Sequence, residues 1–364
     1  MRTLASLSTI KSLSPIEGSD FLELAEMTNN FWKVVVKKGE HKVGDKVVYF
    51  EIDSFLPVAP PYEFLRERCY KRFEKFGVLV AEGFRLKTVK LRGQISQGLI
   101  LPINAFDTPK FYAQSDGDDW TFFLGVRHYD EVREQYDCKP LSSESRGAFP
   151  SWIVKTDEER LQNLPEYFTD NLVKDVEFEC TEKMDGSSMT VYYNRNLDPD
   201  QRYGVCSRNV NFKLDSDCKW VAMAKKLGLE EKLKDITMDG FITGLVIQGE
   251  LVGPNIQGNR DKRDETEFFV FRIMAFTKGS PGGMWLDTEH RLNLCDMLGL
   301  KHVPIIKRDW KVFQELTTFD AFMNYVDAKT SRGNRIEGMV WKSPDGVVSF
   351  KVINNKYLCE AKED

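Results

Sequence analysis

Histidine is scarce in this sequence, four residues in 364, and no Cys-x-x-Cys pair accompanies them. That removes the spacing a Cys/His zinc module needs. The seven cysteines (Cys69, Cys138, Cys180, Cys206, Cys218, Cys295 and Cys359) are scattered. They read as free thiols of a reducing compartment. No run approaches the roughly 18 apolar residues of a membrane span. The opening MRTLASLSTIKSLSP is rich in Ser and Thr but has neither a continuous apolar stretch nor a clear cleavage site, so no secretory signal is expected. These absences predict an intracellular, soluble chain with no membrane partner. A strong charge bias is also missing: 51 basic against 56 acidic residues give a formal net charge of -5. Bulk coating of nucleic acid is thereby disfavoured, whereas a cleft lined by Lys and Arg is not.

What is present divides the chain into three stretches. Residues 1–105 read as strands with glycine turns. Trp32–Val36 and Lys46–Ile52 are rich in β-branched and aromatic residues, Gly39 and Gly44 lie between them, and Phe84–Leu91 alternates as one further strand. A last apolar run ends at Pro102. Several short strands in such a length predict a small closed or half-closed barrel, of the OB or the SH3-like kind. Residues 106–150, with Asp116-Gly117-Asp118-Asp119 and Ser142-Ser143-Glu144-Ser145, have the composition of a connector. Residues 151–364 alternate helical and strand-like runs. Asp217–Leu229 places Trp220, Ala224 and Leu227 on one face before Gly228. Phe319, Phe322, Met323 and Val326 form another face behind a Thr318 cap. Met189–Tyr193, Phe241–Gln248, Glu267–Ala275 and Ile336–Trp341 read as strands. The fold class expected is α+β, with helices covering antiparallel sheets.

The densest chemical signal is Glu182-Lys183-Met184-Asp185-Gly186-Ser187-Ser188. Taken locally, Lys183 reads as a solvated residue at a strand edge. The Lys-x-Asp-Gly spacing permits more: an amine and a carboxylate on the same side of an extended backbone, and a glycine that admits close approach. A neutral lysine amine can attack phosphorus. Lys183 would then need its pKa depressed by about three units from about 10.4. Downstream, in order, come Ser207-Arg208-Asn209, Gly249-Glu250-Leu251-Val252-Gly253, Phe268–Ile273, Ile336–Lys342 and Ser349–Ile353.

In that order these segments resemble the covalent nucleotidyltransferase superfamily of polynucleotide ligases and RNA capping enzymes. Within it the chain resembles the RNA ligases typified by the Deinococcus and Naegleria enzymes. The likeness extends to Gly44–Tyr49, Leu91–Gly98 and the Lys155–Asn163 segment ahead of the lysine. The resemblance implies an N-terminal OB-like β-barrel followed by an adenylyltransferase (ATP-grasp-like nucleotidyltransferase) domain. It implies catalytic roles for Lys183, Asp185, Glu250, Glu337 and Lys351. Nucleotide contacts would come from Glu182, Lys183, Arg208, Glu250, Phe271 and Lys351, with Phe269 the alternative for adenine stacking. Metal-bound water would lie by Asp185, Glu250 and Glu337.

The implied reaction uses ATP with Mg2+ or Mn2+ and joins an RNA 3'-OH end to a 5'-phosphate end through lysyl-AMP. Its partner would be RNA or an RNA-containing duplex. Lys33, Lys37, Lys38, Arg85, Lys87, Lys90 and Arg92 would grip it from the N-terminal module, or serve only as solubilising charge. The eleven residues Asn354–Asp364 are too few for a further barrel, which favours RNA ligases over DNA ligases and capping enzymes. The remaining alternative is a non-enzymatic nucleic-acid-binding protein. Two departures stand out. Ile353 occupies the place of a second lysine in the fifth motif, a charge left to Lys356 or to a base elsewhere. Arg272 stands where relatives carry Asp. Lys342 and Lys356 are open between the nucleotide site and the RNA path.

Overall fold

The computed structural model describes residues 3–106, 115–136, 143–238 and 240–360. The chain forms two compact units, Met1–Pro140 with Gln162–Pro165, and Leu141–Leu161 with Glu166–Asp364. No described helix is long and apolar enough to cross a membrane. The described cysteines Cys69, Cys180, Cys206, Cys218 and Cys295 are free; Cys138 lies outside the described residues.

The first unit is built on a five-stranded antiparallel sheet in the order Leu99–Pro102, Lys46–Phe50, Ala5–Pro15, Leu22–Met27, Lys33–Lys37. The interior strand Lys46–Phe50 explains the unbroken apolar run in the sequence. Val47 and Tyr49 enter one core with Trp32 and Val34, while Val48 and Phe50 enter another with Leu7, Phe84 and Trp120. A strand buried on both faces has no polar side to alternate with. The sheet curls into a half-barrel: Gln97 N–H donates to the Lys33 carbonyl at 3.0 Å, and Val35 N–H to Ser96 Oγ at 2.9 Å. Gly98 lets the chain turn from one sheet edge to the other, with φ at +108° and no room for a Cβ beside the Tyr49 ring.

Two expectations change here. Phe84–Leu91 is not one strand but the end of Val78–Arg85 and the separate strand Val89–Leu91. The alternation persisted because Leu86 is still buried, bonded through its backbone to Asp53 and Ser54. The turn at Arg92 and Gly93, both at positive φ, then pairs Val89–Leu91 with Gln94–Ser96. The stretch read as a connector supplies core residues to this unit. Trp120 and Val126 pack with Phe50 and Leu56, and Tyr129 and Val132 with Phe55 and Phe73.

The second unit holds two larger sheets. One has the order Ser145–Ala148, Val210–Phe212, Tyr203–Cys206, Ser187–Asn194, Ile242–Val252, Glu267–Thr277, Ser280–Trp285, with Lys301–His302 added in parallel to Glu267–Thr277. The other is Ile305–Trp310, Phe178–Lys183, Gly338–Lys342, Ser349–Ile353. Helices cover them. The run expected over 217–229 is Lys219–Lys226, ended by Gly228 at φ +63°, after which Leu229–Met238 starts afresh. Helix Phe319–Asp327 is capped by Thr318, whose hydroxyl accepts from Ala321 N–H at 3.2 Å. It buries Phe322 against Phe313, Trp341 and Phe350, and the last two rings stack at 5.0 Å. That aromatic core backs the strand that ends in Lys183.

Candidate active site

Phe178–Lys183 is a central strand, and the register Lys183↔Gly338 brings Glu337 beside the lysine. Lys183 Nζ lies 2.5 Å from Glu337 Oε1. The chain then turns at Asp185-Gly186 into the strand Ser187–Asn194. A Cβ on Gly186 would sit 2.5 Å from the Leu251 carbonyl and 2.8 Å from Glu250 Cγ, so only glycine fits the turn against that strand. Glu250 comes in through the pairing Ser188↔Glu250, and Lys351 through Val340↔Lys351.

These elements enclose a cavity of 520 Å³ lined by Glu182, Lys183, Asp185, Arg208, Glu250, Phe271, Glu337 and Lys351. Eight residues read from the sequence as site candidates therefore meet in one place. Phe271 gets there by a β-bulge. Gln248 faces Arg272 and Gly249 faces Val270, leaving Phe271 as the extra residue, and a bulge re-aims its side chain. Phe269 does not line the cavity; Arg263 and Lys301 lie over its ring at 4.8 and 5.9 Å. Glu182 does line it, but its carboxyl bonds to Ser331 and burial raises its pKa.

The electrostatics depart from expectation at the lysine. Burial works to depress Lys183, but Glu337, Glu250 and Asp185 outweigh it and the pKa rises. In this state Lys183 is a paired cation, because the cavity holds more carboxylate than amine. Glu250 bears the cost: burial, then Glu337 and Asp185, push it up to about 8 against the pull of Lys183. Among the described residues no three His, Cys, Asp or Glu side chains converge as direct metal ligands. Carboxylates that line one cavity without meeting at a single point fit a hydrated divalent cation, held through its waters, better than a directly ligated one.

Sequence reading missed several cavity residues. Asp157 bridges the two cations opposite the carboxylates, 2.5 Å from Lys351 Nζ and 3.0 Å from Arg208 Nη2. Burial would raise its pKa, but Lys351 and Arg208 hold it down at about 2. Its neighbour Glu158 pairs with Lys342 at 3.0 Å, and Lys342 Nζ stands 5.2 Å from the centre of the Phe271 ring. The Lys155–Asn163 segment had been singled out only by its likeness to a signature. Tyr357 had no signal, yet its hydroxyl donates to Asp185.

The departures also find their places. Ile353 is buried in the core, Lys356 is exposed and outside the cavity, and the half-buried Lys342 lines the cavity alongside Lys351. Arg272 lies outside the cavity too, its guanidinium 3.8 Å over the Trp285 ring. Of the seven basic residues singled out in the first unit, Lys33 is paired with Glu26 and Arg85 with Asp53. Lys37, Lys38, Lys87, Lys90 and Arg92 are exposed.

An OB-fold unit and an α+β unit with a lysine ringed by carboxylates define the nucleotidyltransferase class of ligases. An OB-fold domain profile matches residues 4–103, and the RNA ligase profile matches residues 176–353. No curated protein matches the chain by sequence. Among solved structures, a Naegleria gruberi RNA ligase mutant with AMP and Mn is 34% identical, with 100% of each chain covered and a TM-score of 0.77. A second mutant of that ligase with ATP and Mn is 34% identical over 100% of each chain, at a TM-score of 0.75. The same ligase with PPi is 34% identical over 98% of each chain, at 0.73. The chain belongs to the RNA ligase family and is an enzyme of that family.

Proposed function

We propose that the chain is an ATP-dependent RNA ligase that joins an RNA 3'-OH to a 5'-phosphate, at nicks in a duplex, through lysyl-AMP. The observation that carries this reading is the convergence of Lys183, three carboxylates, Phe271, Arg208 and Lys351 on one 520 Å³ cavity. Three phosphoryl transfers follow. Neutral Lys183 Nζ attacks the α-phosphorus of ATP, the bond to the β-phosphate oxygen breaks, and pyrophosphate leaves. An RNA 5'-phosphate oxygen then attacks the same phosphorus, the P–N bond breaks, and Lys183 regains its proton. Last, the 3'-OH attacks the 5'-phosphorus, losing its proton, and AMP leaves.

Each residue acts from its observed place. Phe271 stacks on adenine, with Lys342 next to the ring. Lys351 and Arg208 exchange Asp157 for phosphate oxygens, so the carboxylate keeps both cations in position until nucleotide enters. Glu337 and Glu250 take up proton and charge around Lys183. A Mg2+ or Mn2+ ion held through water by Asp185, Glu250 and Glu337 would neutralise carboxylate and phosphate charge, weakening the pull that keeps Lys183 protonated. The exposed Lys37, Lys38, Lys87, Lys90 and Arg92 of the OB-fold unit attract the RNA backbone.

Incubation with α-labelled ATP and magnesium or manganese tests the first step. The expected result is a covalent protein–AMP species, absent from Lys183→Ala, followed by sealing of a nick with an RNA 3'-OH. No adduct with either metal would overturn the reading. An adduct without sealing would retain nucleotidyl transfer and reject the acceptor.

A further inference from the structure

Outside the nucleotide cavity the second unit carries a groove of 650 Å³ whose lining includes Arg260, Lys262, Thr330, Asn334, Arg335 and Tyr357. One wall is the loop between the strands Ile242–Val252 and Glu267–Thr277. Four of its non-glycine residues, Asn255, Gln257, Asn259 and Lys262, have φ between 46° and 62°. Asparagine takes such conformations readily, but Gln257 and Lys262 hold them only where surroundings enforce them. Here the enforcement is visible. Asn259 holds Arg263 by two side-chain to backbone bonds of 2.9 and 3.0 Å, and buried Arg263 is anchored to Glu267 at 2.6 Å and Asp261 at 3.2 Å.

The other walls are bonded to the residues that flank Lys183. Tyr357 donates its hydroxyl to Asp185 on one side of the nucleophile. Ser331, in the hairpin that carries Thr330 and Asn334, bonds to Glu182 on the other. Arg260 stacks on Tyr357 at 4.0 Å and donates to its carbonyl. Arg335 pairs with Glu360, the one acid among the described residues of the lining, so among them the charge of Arg260 and Lys262 is in excess. A basic, hydroxyl- and amide-lined groove with a stacked guanidinium suits a ribose–phosphate backbone.

We propose that this groove holds the backbone of the RNA strand whose end is presented to Lys183. The inference rests on the RNA-ligase reading for the identity of the polymer. Lys262→Ala, Lys262→Glu and Arg260→Ala/Lys262→Ala in the full chain test it by three readouts. These are self-adenylylation with labelled ATP, sealing of a pre-adenylylated RNA nick, and anisotropy of labelled nicked RNA across a salt series.

Self-adenylylation should stay within about twofold of the parent, because neither residue lines the nucleotide cavity. RNA affinity and sealing should fall about fivefold for Lys262→Ala, further for Lys262→Glu, and at least about twentyfold for the double variant. Its salt slope should be shallower by about one to two. Unchanged RNA affinity in the double variant would overturn the proposal, as would adenylylation falling in step with sealing. A parent protein that forms no lysyl-AMP would sink the ligase reading instead, while the anisotropy series still decides the groove.

Discussion

Lys183 enters its cavity as a cation and Asp157 as an anion, and both facts have measurable consequences. Asp157 competes with phosphate for Lys351 and Arg208. Exposed pairs of this kind contribute up to about 1 kcal/mol, so Asp157→Asn should tighten pyrophosphate binding about fivefold by calorimetry. A weaker affinity would mean that Asp157 positions the cations more than it blocks them. Glu250 makes a pH prediction. Its folded pKa of about 8 lies above its reference value of 4.5, so the folded state binds the proton more tightly than the unfolded chain. Its stabilising contribution is complete below about pH 4.5 and disappears as the pH rises through about 8. In chelator, the parent Tm should fall from about pH 5 to 8. Glu250→Gln should fall less steeply and lie above the parent at pH 8. Parallel profiles would refute the assignment.

At the scale of elements, the bulge separates two phenylalanines that alternation places on one side. Phe271→Ala should raise the Kd for ATP about tenfold or more, since stacking on a base is worth about 1–3 kcal/mol. Phe269→Ala should lower the Tm with little change in that Kd. Equal effects on ATP would show that both rings serve the base. The strand bearing Lys183 is tied to helix Thr288–Leu298 by the buried pair Glu179–Arg291 at 2.6 Å. Arg291 also donates to His302 Nε2 at 2.8 Å. Glu179→Ala leaves a buried guanidinium without its carboxylate and should cost about 3–5 kcal/mol in denaturant unfolding. A loss below about 1 kcal/mol would show that the pair is not holding the strand.

For the whole molecule, the proposed attraction of the polymer is shared between the OB-fold unit and the groove of the second unit, whereas the nucleotide chemistry lies in the second unit alone. The exposed bases of the OB-fold unit lie in a different compact unit from the Lys183 cavity. The triple change Lys87→Ala, Lys90→Ala, Arg92→Ala should therefore lower RNA affinity and flatten its salt dependence, by up to about three in slope, while lysyl-AMP forms at the parent rate. Loss of adduct formation would place this patch in the nucleotide chemistry. The net charge of -5 is no obstacle, because the attraction is local to exposed clusters.

Eight of the residues that line the cavity were legible through the resemblance of their ordered segments to a known family, whereas Asp157 and Glu158 were not. Phosphoryl chemistry demands particular side chains, and each sits in a short segment whose neighbours are strand-forming. The half-barrel was legible for a related reason: glycine turns and β-branched runs are local properties. What was not legible depends on how distant strands pair. The Lys183–Glu337, Tyr357–Asp185 and Lys351–Asp157 contacts span 154, 172 and 194 positions. No local spacing records whether such a partner raises or lowers a pKa. The bulge at Phe271 is a one-residue offset between two strands, invisible in either alone. The sequence by itself determined which reactive groups exist and which segments extend or coil, because both follow from side-chain identity and local sterics. Only the tertiary structure decided that Lys183 is held as a cation, that Asp157 occupies its cationic partners, and that Phe271 faces the cavity, because burial, charge proximity and register are properties of the packed chain.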